Sequence, residues 1–419
     1  MFDIIVVGAR CAGASTAARF AARGYRVLLV ERRRFPADTM STLYIHQPGV
    51  RCLEELGVLD RVIGTGCPAL DRISYTVDTE VLEAPMPSLG AVSSTYAPRR
   101  YDLDAILADA AVRNGAEFED GCRVVDLVRS GDRVTGVLLR TASGTILRES
   151  ASLVVGADGA HSTVADRAGS TVRRDDGSWT SVLYSYWTDL PAHFELFERP
   201  GGWVAVIPTA GAVIVALYRR SGRLDTAGRD PLRRYLDGIR NTAPALADRL
   251  VDATRVGRLH GRPHQPNVIR AAAGAGWALV GDAGHLKDTI TARGITDALL
   301  QGRLLVDALG ADTTDIERQG RALREYGQHR DALLSESYHA TISLARLRIP
   351  PHRLALMRAI GASADLTARY FSVVAGISTF SDIPVAALLA QARRSGFDSD
   401  STTSPARIAT VDSRFADNP

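Results

Sequence analysis

Three glycine-bearing turns, each after a short apolar run, are the places where this chain could do chemistry. The first reads Gly8, Ala9, Arg10, Cys11, Ala12, Gly13, Ala14. It lies between a β-branched run at 2–7 and an alanine-rich stretch at 13–23, which predicts strand, tight turn and helix. A turn of this kind binds a dinucleotide. Gly8 permits the turn, Gly13 lets backbone approach a pyrophosphate, and Ala14 keeps helix and strand close. The free amides and partial positive charge of the helix start then face the phosphates. Arg10 stands where the common pattern has its central glycine. Glu31 ends the next apolar run, 25–30, where a carboxylate binds the adenosine ribose hydroxyls. An acid there favours a ribose without a 2′-phosphate, hence FAD or NAD in this site.

The second turn is Gly156, Ala157, Asp158, Gly159, Ala160, His161, Ser162. The third is Gly281, Asp282, Ala283, Gly284, His285, continuing through Ala292, Arg293, Gly294 and Ile295 into a helix. Each alone is a generic strand-to-loop sequence, and a carboxylate in it commonly caps local backbone. Their order and spacing are more informative. Together the three turns resemble the FAD-dependent aromatic hydroxylases of the para-hydroxybenzoate hydroxylase type, over residues 1–345. Flavin-dependent halogenases and geranylgeranyl reductases share parts of the pattern.

The resemblance implies roles residue by residue. Gly8, Arg10, Cys11, Ala12, Gly13 and Ala14 line the FAD pyrophosphate, and Glu31 with Arg32 holds the adenosine ribose. Arg100 reaches the flavin chain, and Gln47 stands where some relatives carry a basic residue. Asp158 belongs to a segment that serves both FAD and a passing nicotinamide. Gly281 and Asp282 meet the ribityl hydroxyls, and Gly294 and Ile295 offer amides to the N1–C2 edge of the ring. Reduced flavin is anionic near N1, so a helix start there is stabilising.

The implied activity is that of a single-component FAD monooxygenase, with NADPH or NADH as transient reductant. It proceeds through a hydroperoxide at flavin C4a and hydroxylates or epoxidises a mainly apolar or aromatic small molecule, as in secondary metabolism. Departures from the pattern fall at Thr289, at Gln47, and at Ala292 and Arg293. Three alternatives stand beside it: a halogenase, an isoprenoid reductase or dehydrogenase, and an FAD-bearing scaffold for non-redox cyclisation. No catalytic side chain or general base is singled out. A metal site is not expected, because Gly261 and Pro263 spoil a helix between His260 and His264.

The elements that must position these turns are legible in outline. An α/β architecture is expected, with a Rossmann-like FAD-binding domain from 1–74, 96–175 and 265–345. Interleaved with it is an antiparallel-sheet substrate domain from 75–95 and 176–264. C-terminal helices are expected over 346–394 and a disordered tail over 395–419. Helices are predicted at 49–63, 101–114, 230–251, 295–309 and 317–346, and strands at 72–83, 122–130, 134–141, 151–156, 181–188, 202–208, 211–219 and 277–280. Tyr184 and Tyr186 share one face of their strand, and Trp187 takes the other. With Trp203, Tyr218, Tyr44, His46 and Arg293 they form either an aromatic-lined substrate pocket or ordinary sheet packing.

Composition bounds the rest. A hydrophobic fraction of 46% and a charged fraction of 23% are those of a globular chain. A net charge of +3 gives no case for nucleic acid. Lys287 is the sole lysine. The cysteines Cys11, Cys52, Cys67 and Cys122 are scattered without a CxxC pair, as in a cytoplasmic protein with reduced thiols. No apolar run approaches the ~20 residues of a membrane span, and the opening residues predict no signal peptide. A monomer or homodimer acting on a small molecule is expected.

Overall fold

Two strands at the start of the chain, Phe2–Val7 and Val27–Glu31, are apolar throughout because both their faces are covered. They pair in parallel, and Phe2–Val7 also pairs in parallel with the far half of the long strand Ile146–Gly156. The computed structural model describes residues 1–222, 230–310, 315–384 and 388, so the expected tail over 395–419 lies outside the described residues. The first sheet runs in the order Ala273–Gly274, Trp277–Leu279, Ile146–Gly156, Phe2–Val7, Val27–Glu31, Glu117–Asp120. The hairpin Arg123–Ser130 and Arg133–Arg140 joins it through the near half of Ile146–Gly156, in antiparallel register. That pairing explains why the strand expected at 151–156 begins earlier.

Helices Cys11–Ala22 and Gly294–Leu309 pack side by side on this sheet. Their contact is made by small residues: a Cβ on Gly302 would fall 2.4 Å from Thr16 Oγ1. Close packing therefore brings the two helix starts into one region, at the C-terminal ends of the parallel strands.

The second sheet has seven strands. Their order is Thr254–Arg262, Thr180–Thr188, Ala212–Arg220, Gly202–Thr209, Phe194–Arg199, Arg72–Val77, Glu80–Pro85. It is not wholly antiparallel, because Phe194–Arg199 and Arg72–Val77 pair in parallel. One face carries Leu183, Trp187, Val204 and Val206 and is covered by helices Pro231–Thr242 and Pro244–Arg249. The other face carries Trp203, Ala205, Ile207 and Tyr218 and looks toward the C-terminal helices Pro351–Gly361 and Ala364–Ala375. The 30-residue helix Ile316–Ala345 spans both regions, with Tyr326 in the core of the first sheet and Ala345 in that of the second.

Several predicted elements are divided, for identifiable reasons. The helix expected over 49–63 is two, Gln47–Glu55 and Leu59–Ile63, separated at Gly57 with φ +67°. The helix expected over 230–251 breaks at Ala243, because Pro244 disfavours helical backbone in the residue before it. The run 72–83 is a hairpin turning at Asp78, φ +56°. A third, small sheet of Val172–Ser178, Pro266–Arg270 and His285–Leu286 lay outside the sequence reading.

Candidate active site

The three glycine turns meet. A Cβ on Gly8 (φ +101°) would lie 2.5 Å from the Ala157 carbonyl oxygen, so the first turn rests on the second. A Cβ on Gly281 (φ +63°) would lie 2.8 Å from the Ala12 Cβ, so the third rests on the first. Gly13 is the tightest point: a Cβ there would come within 1.7 Å of the Gly8 carbonyl oxygen. Side chains are excluded here by backbone contact, as a close-approach cradle requires.

Buried polar groups brace this cradle. One Glu31 carboxylate oxygen accepts the Ala9 amide at 3.1 Å, and the other accepts the Arg33 amide at 3.0 Å. Each oxygen keeps a lone pair for a further donor, while Arg32 is exposed at the edge. Arg100 forms a fork on Asp104 at 2.9 and 3.0 Å, Cys11 Sγ donates to Asp104 at 3.1 Å, and Arg10 Nη1 reaches it at 3.3 Å. Asp104 is fully buried and gathers three of the sequence-selected residues, yet sequence reasoning missed it. Its spacing of four from Arg100 on one helix was the available signal.

Two selected residues have local duties. Asp158 accepts from Ser162 Oγ and from the Thr163 and Val164 amides at 2.6 and 3.2 Å, so it caps its own turn. Gln47 is buried, and its Nε2 donates to the Pro87 carbonyl at 2.8 Å. Asp282 differs from both. It is solvent-accessible, yet desolvation by the surrounding protein pushes its carboxyl above the ordinary value, against the pull of Arg262 and Arg100. Its carboxyl is thus open to solvent while closely surrounded by protein.

The cradle continues to the start of Gly294–Leu309. No side chain caps this helix, and a Cβ on Gly294 would meet open space. No side chain caps Cys11–Ala22 either, and its first turn holds no acid. Two uncapped helix starts therefore open on one cleft. Two donor-rich helix starts with carboxylates at Glu31 and Asp282 have the chemistry to hold a dinucleotide such as FAD.

Behind that second start lies a buried charge cluster. Lys287 Nζ sits 2.6 Å from Asp297, and Arg293 Nε reaches the other Asp297 oxygen at 3.3 Å. Burial alone would raise the Asp297 carboxyl, but Lys287 and Arg293 hold it down at about 2. His46 and His285 are each pushed down to about 3, burial being the main cause, so both are neutral imidazoles. His46 Nε2 pairs with the Thr291 carbonyl at 3.1 Å, and its backbone amide donates to Thr296 Oγ1 at 3.0 Å.

A cavity of about 1180 Å³ adjoins this helix start. Thr291, Ala292 and Arg293 form part of its wall, and its remaining lining is mostly apolar. Tyr44, His46, Trp203 and Tyr218, expected at the substrate, all line it. Tyr44 stacks on Phe194 at 4.2 Å and meets His46 edge-on at 4.7 Å. Tyr184 and Tyr186 are not among its walls. Tyr184 stacks on His260 at 4.8 Å, and Arg99 lies 3.7 Å over the Tyr186 ring. Among the described residues, no group of His, Cys, Asp and Glu is arranged to hold a metal.

The wall also holds a polar set that sequence reasoning missed. Arg353 donates to Tyr75 Oη at 2.8 Å, and both bind the buried Glu198. Tyr370 stacks on Tyr75 at 6.3 Å. This set clasps the Pro351–Gly361 helix to the second sheet.

Comparison with known proteins bears on this cleft. The family described as FAD binding domain matches residues 1–337. The chain is similar to a menaquinone reductase of Mycolicibacterium smegmatis, 29% identical, with 85% of this chain and 84% of that protein covered. It is 23% identical to a 1H-pyrrole-2-carbonyl-[peptidyl-carrier protein] brominase of Pseudoalteromonas luteoviolacea, covering 74% of this chain and 77% of that one. Among solved structures, the OxyS anhydrotetracycline hydroxylase of Streptomyces rimosus shares the fold. Its TM-score is 0.69 at 18% identity, over 90% of this chain and 76% of that one.

Proposed function

The chain belongs to the FAD binding domain family and is an FAD-dependent oxidoreductase, and from that premise we propose that it is a monooxygenase using NAD(P)H and oxygen to hydroxylate or epoxidise a large, mainly apolar molecule. The observation that carries this reading is the cavity of about 1180 Å³ beside the Gly294–Leu309 helix start. Ordinary ligand pockets span roughly 300–1,000 Å³, so a molecule larger than a single aromatic ring fits. When bound, the flavin supplies hydride acceptance and oxygen activation. The chain's own part is binding, orientation and exclusion of water. Arg353, Tyr75 and Glu198 hold the Pro351–Gly361 helix against the second sheet, where it forms part of the cavity wall. Tyr44, Trp203 and Phe194 offer flat faces that orient a planar or extended substrate.

A second reading, reduction of a carbon–carbon double bond in an isoprenoid chain, is favoured by the same volume and by the similarity to menaquinone reductase. Halogenation is a third reading, carried by the similarity to the pyrrole brominase.

One experiment separates the first two. The purified protein is mixed with NADPH or NADH and a panel of polycyclic aromatics and polyprenyl quinones, and flavin bleaching is followed without oxygen. The compound that accelerates bleaching is then turned over under oxygen-18 gas. Label in the product supports monooxygenation. An unlabelled product two hydrogens heavier overturns it in favour of reduction.

A further inference from the structure

The chain carries 50 basic residues, and Lys287 is the one lysine among them. It is also one of the most enclosed cations, only 8% exposed. Its ammonium is held by Asp297 at 2.6 Å and by Ser337 Oγ at 2.9 Å. Arg293, likewise 8% exposed, approaches Asp297 from the other side. The charge count is therefore two cations on one carboxylate, with His46 and His285 neutral beside them. On the cleft side stands Asp282, which faces Arg262 and Arg100 as well as Lys287. A surplus positive charge thus sits at the foot of a helix whose first amides carry no side-chain cap. In a dry interior such a charge acts more strongly than it would in water.

We propose that Lys287 is a positioning residue that sets the reduction potential of the flavin, acting through Asp297 and the start of the Gly294–Leu309 helix. The inference rests on the FAD reading of the cleft but not on the choice between monooxygenation and reduction. Its ammonium is a compact point charge with three rotatable donors, which here serves one Asp297 oxygen and the Ser337 hydroxyl together. The ammonium is compact enough to sit under the helix while Arg293 takes the open side.

The test is the midpoint potential of the holoenzyme, read from the flavin spectrum against reference dyes. Lys287→Met is expected to lower the preference for reduced over oxidised flavin by about tenfold, which is about 30 mV for a two-electron couple. Asp297→Asn is expected to move the potential the opposite way, and the double variant to return close to the parent. A merely structural lysine gives no such alternation of sign. Unchanged potential in an FAD-loaded Lys287→Met protein, or a shift of the same sign in both single variants, overturns the proposal. Should the variants fail to fold, the unaltered protein still decides. With nitrogen-15 lysine it yields one side-chain signal, expected to shift when the flavin is reduced, and a signal indifferent to reduction overturns the inference. A purified protein that binds no FAD at all would instead sink the reading of the cleft.

Discussion

Gly13 and Asp104 show how differently two residues of one site can be read. Gly13 was legible because only glycine suits a turn against backbone, and its Cβ would stand 1.7 Å from the Gly8 oxygen. Gly13→Ala is therefore expected to abolish FAD retention through gel filtration, seen as loss of yellow colour from folded protein. Asp104 was missed because an aspartate on a helix is ordinarily solvated. Here it is fully buried under Arg10, Cys11 and Arg100. Asp104→Ala strands two guanidinium groups, and breaking such a buried pair costs about 3–5 kcal/mol. Denaturant unfolding should show that loss, with FAD affinity weakened at least tenfold by flavin fluorescence. The neutral histidines give a pH prediction. His46 and His285 stay unprotonated in the folded state down to about pH 3, whereas in the unfolded chain histidines protonate near 6.5. As pH falls below about 6.5 the unfolded state binds more protons, so stability falls, by on the order of 1 kcal/mol per pH unit for each histidine. Thermal melts between pH 7 and pH 5 should show the decline, and His285→Gln should roughly halve its slope. A flat profile in the unaltered protein would refute the assignment.

At the scale of elements, the long periodic segments were readable and the edge strands were not. Arg100–Arg113 and Ile316–Ala345 lie within one residue of the expected helices, because their apolar spacing is sustained over many turns. Val172–Ser178 carries arginines, aspartates and a glycine, and none of its residues is buried. Nothing in such a run marks a strand, and its partner Pro266–Arg270 is remote in sequence. The docking of the C-terminal helix Pro351–Gly361 depends on the Arg353, Tyr75 and Glu198 clasp. Arg353→Met leaves Glu198 buried with only the tyrosine as partner. It is expected to destabilise by about 3 kcal/mol and to expose Pro351–Gly361 to limited proteolysis before the rest of the chain. Simultaneous cleavage and global unfolding would show that the clasp does not hold that element separately.

For the molecule as a whole, the α/β class was legible from three turns in order, while the cavity was not. The turns are local sequences whose spacing survives in one dimension. The cavity forms between a sheet built from residues 72–262 and helices from 351–375, so no window of sequence contains it. A shared sheet is not a shared wall: Tyr184 and Tyr186 stand on the sheet of Trp203 and Tyr218 but lie toward Arg99 and His260. Filling the cavity tests its role. Ala205 lines it and is 5% exposed. Ala205→Phe should weaken binding of the largest apolar ligands more than tenfold by flavin-fluorescence titration, with the FAD content unchanged. Equal weakening for ligands of every size would point away from a volume effect.

The convergence of the three turns has a consequence for synthesis. About 270 residues of chain separate Ala14 from Gly281. At about 5–20 residues per second, the ribosome takes roughly 15–50 s to bridge that interval. Throughout it, the nascent chain displays the first glycine turn without the Gly294–Leu309 helix start that completes the same cradle. Flavin can therefore be secured only late in translation, and growth in riboflavin-poor medium should lower the yield of folded protein more than the rate of its synthesis.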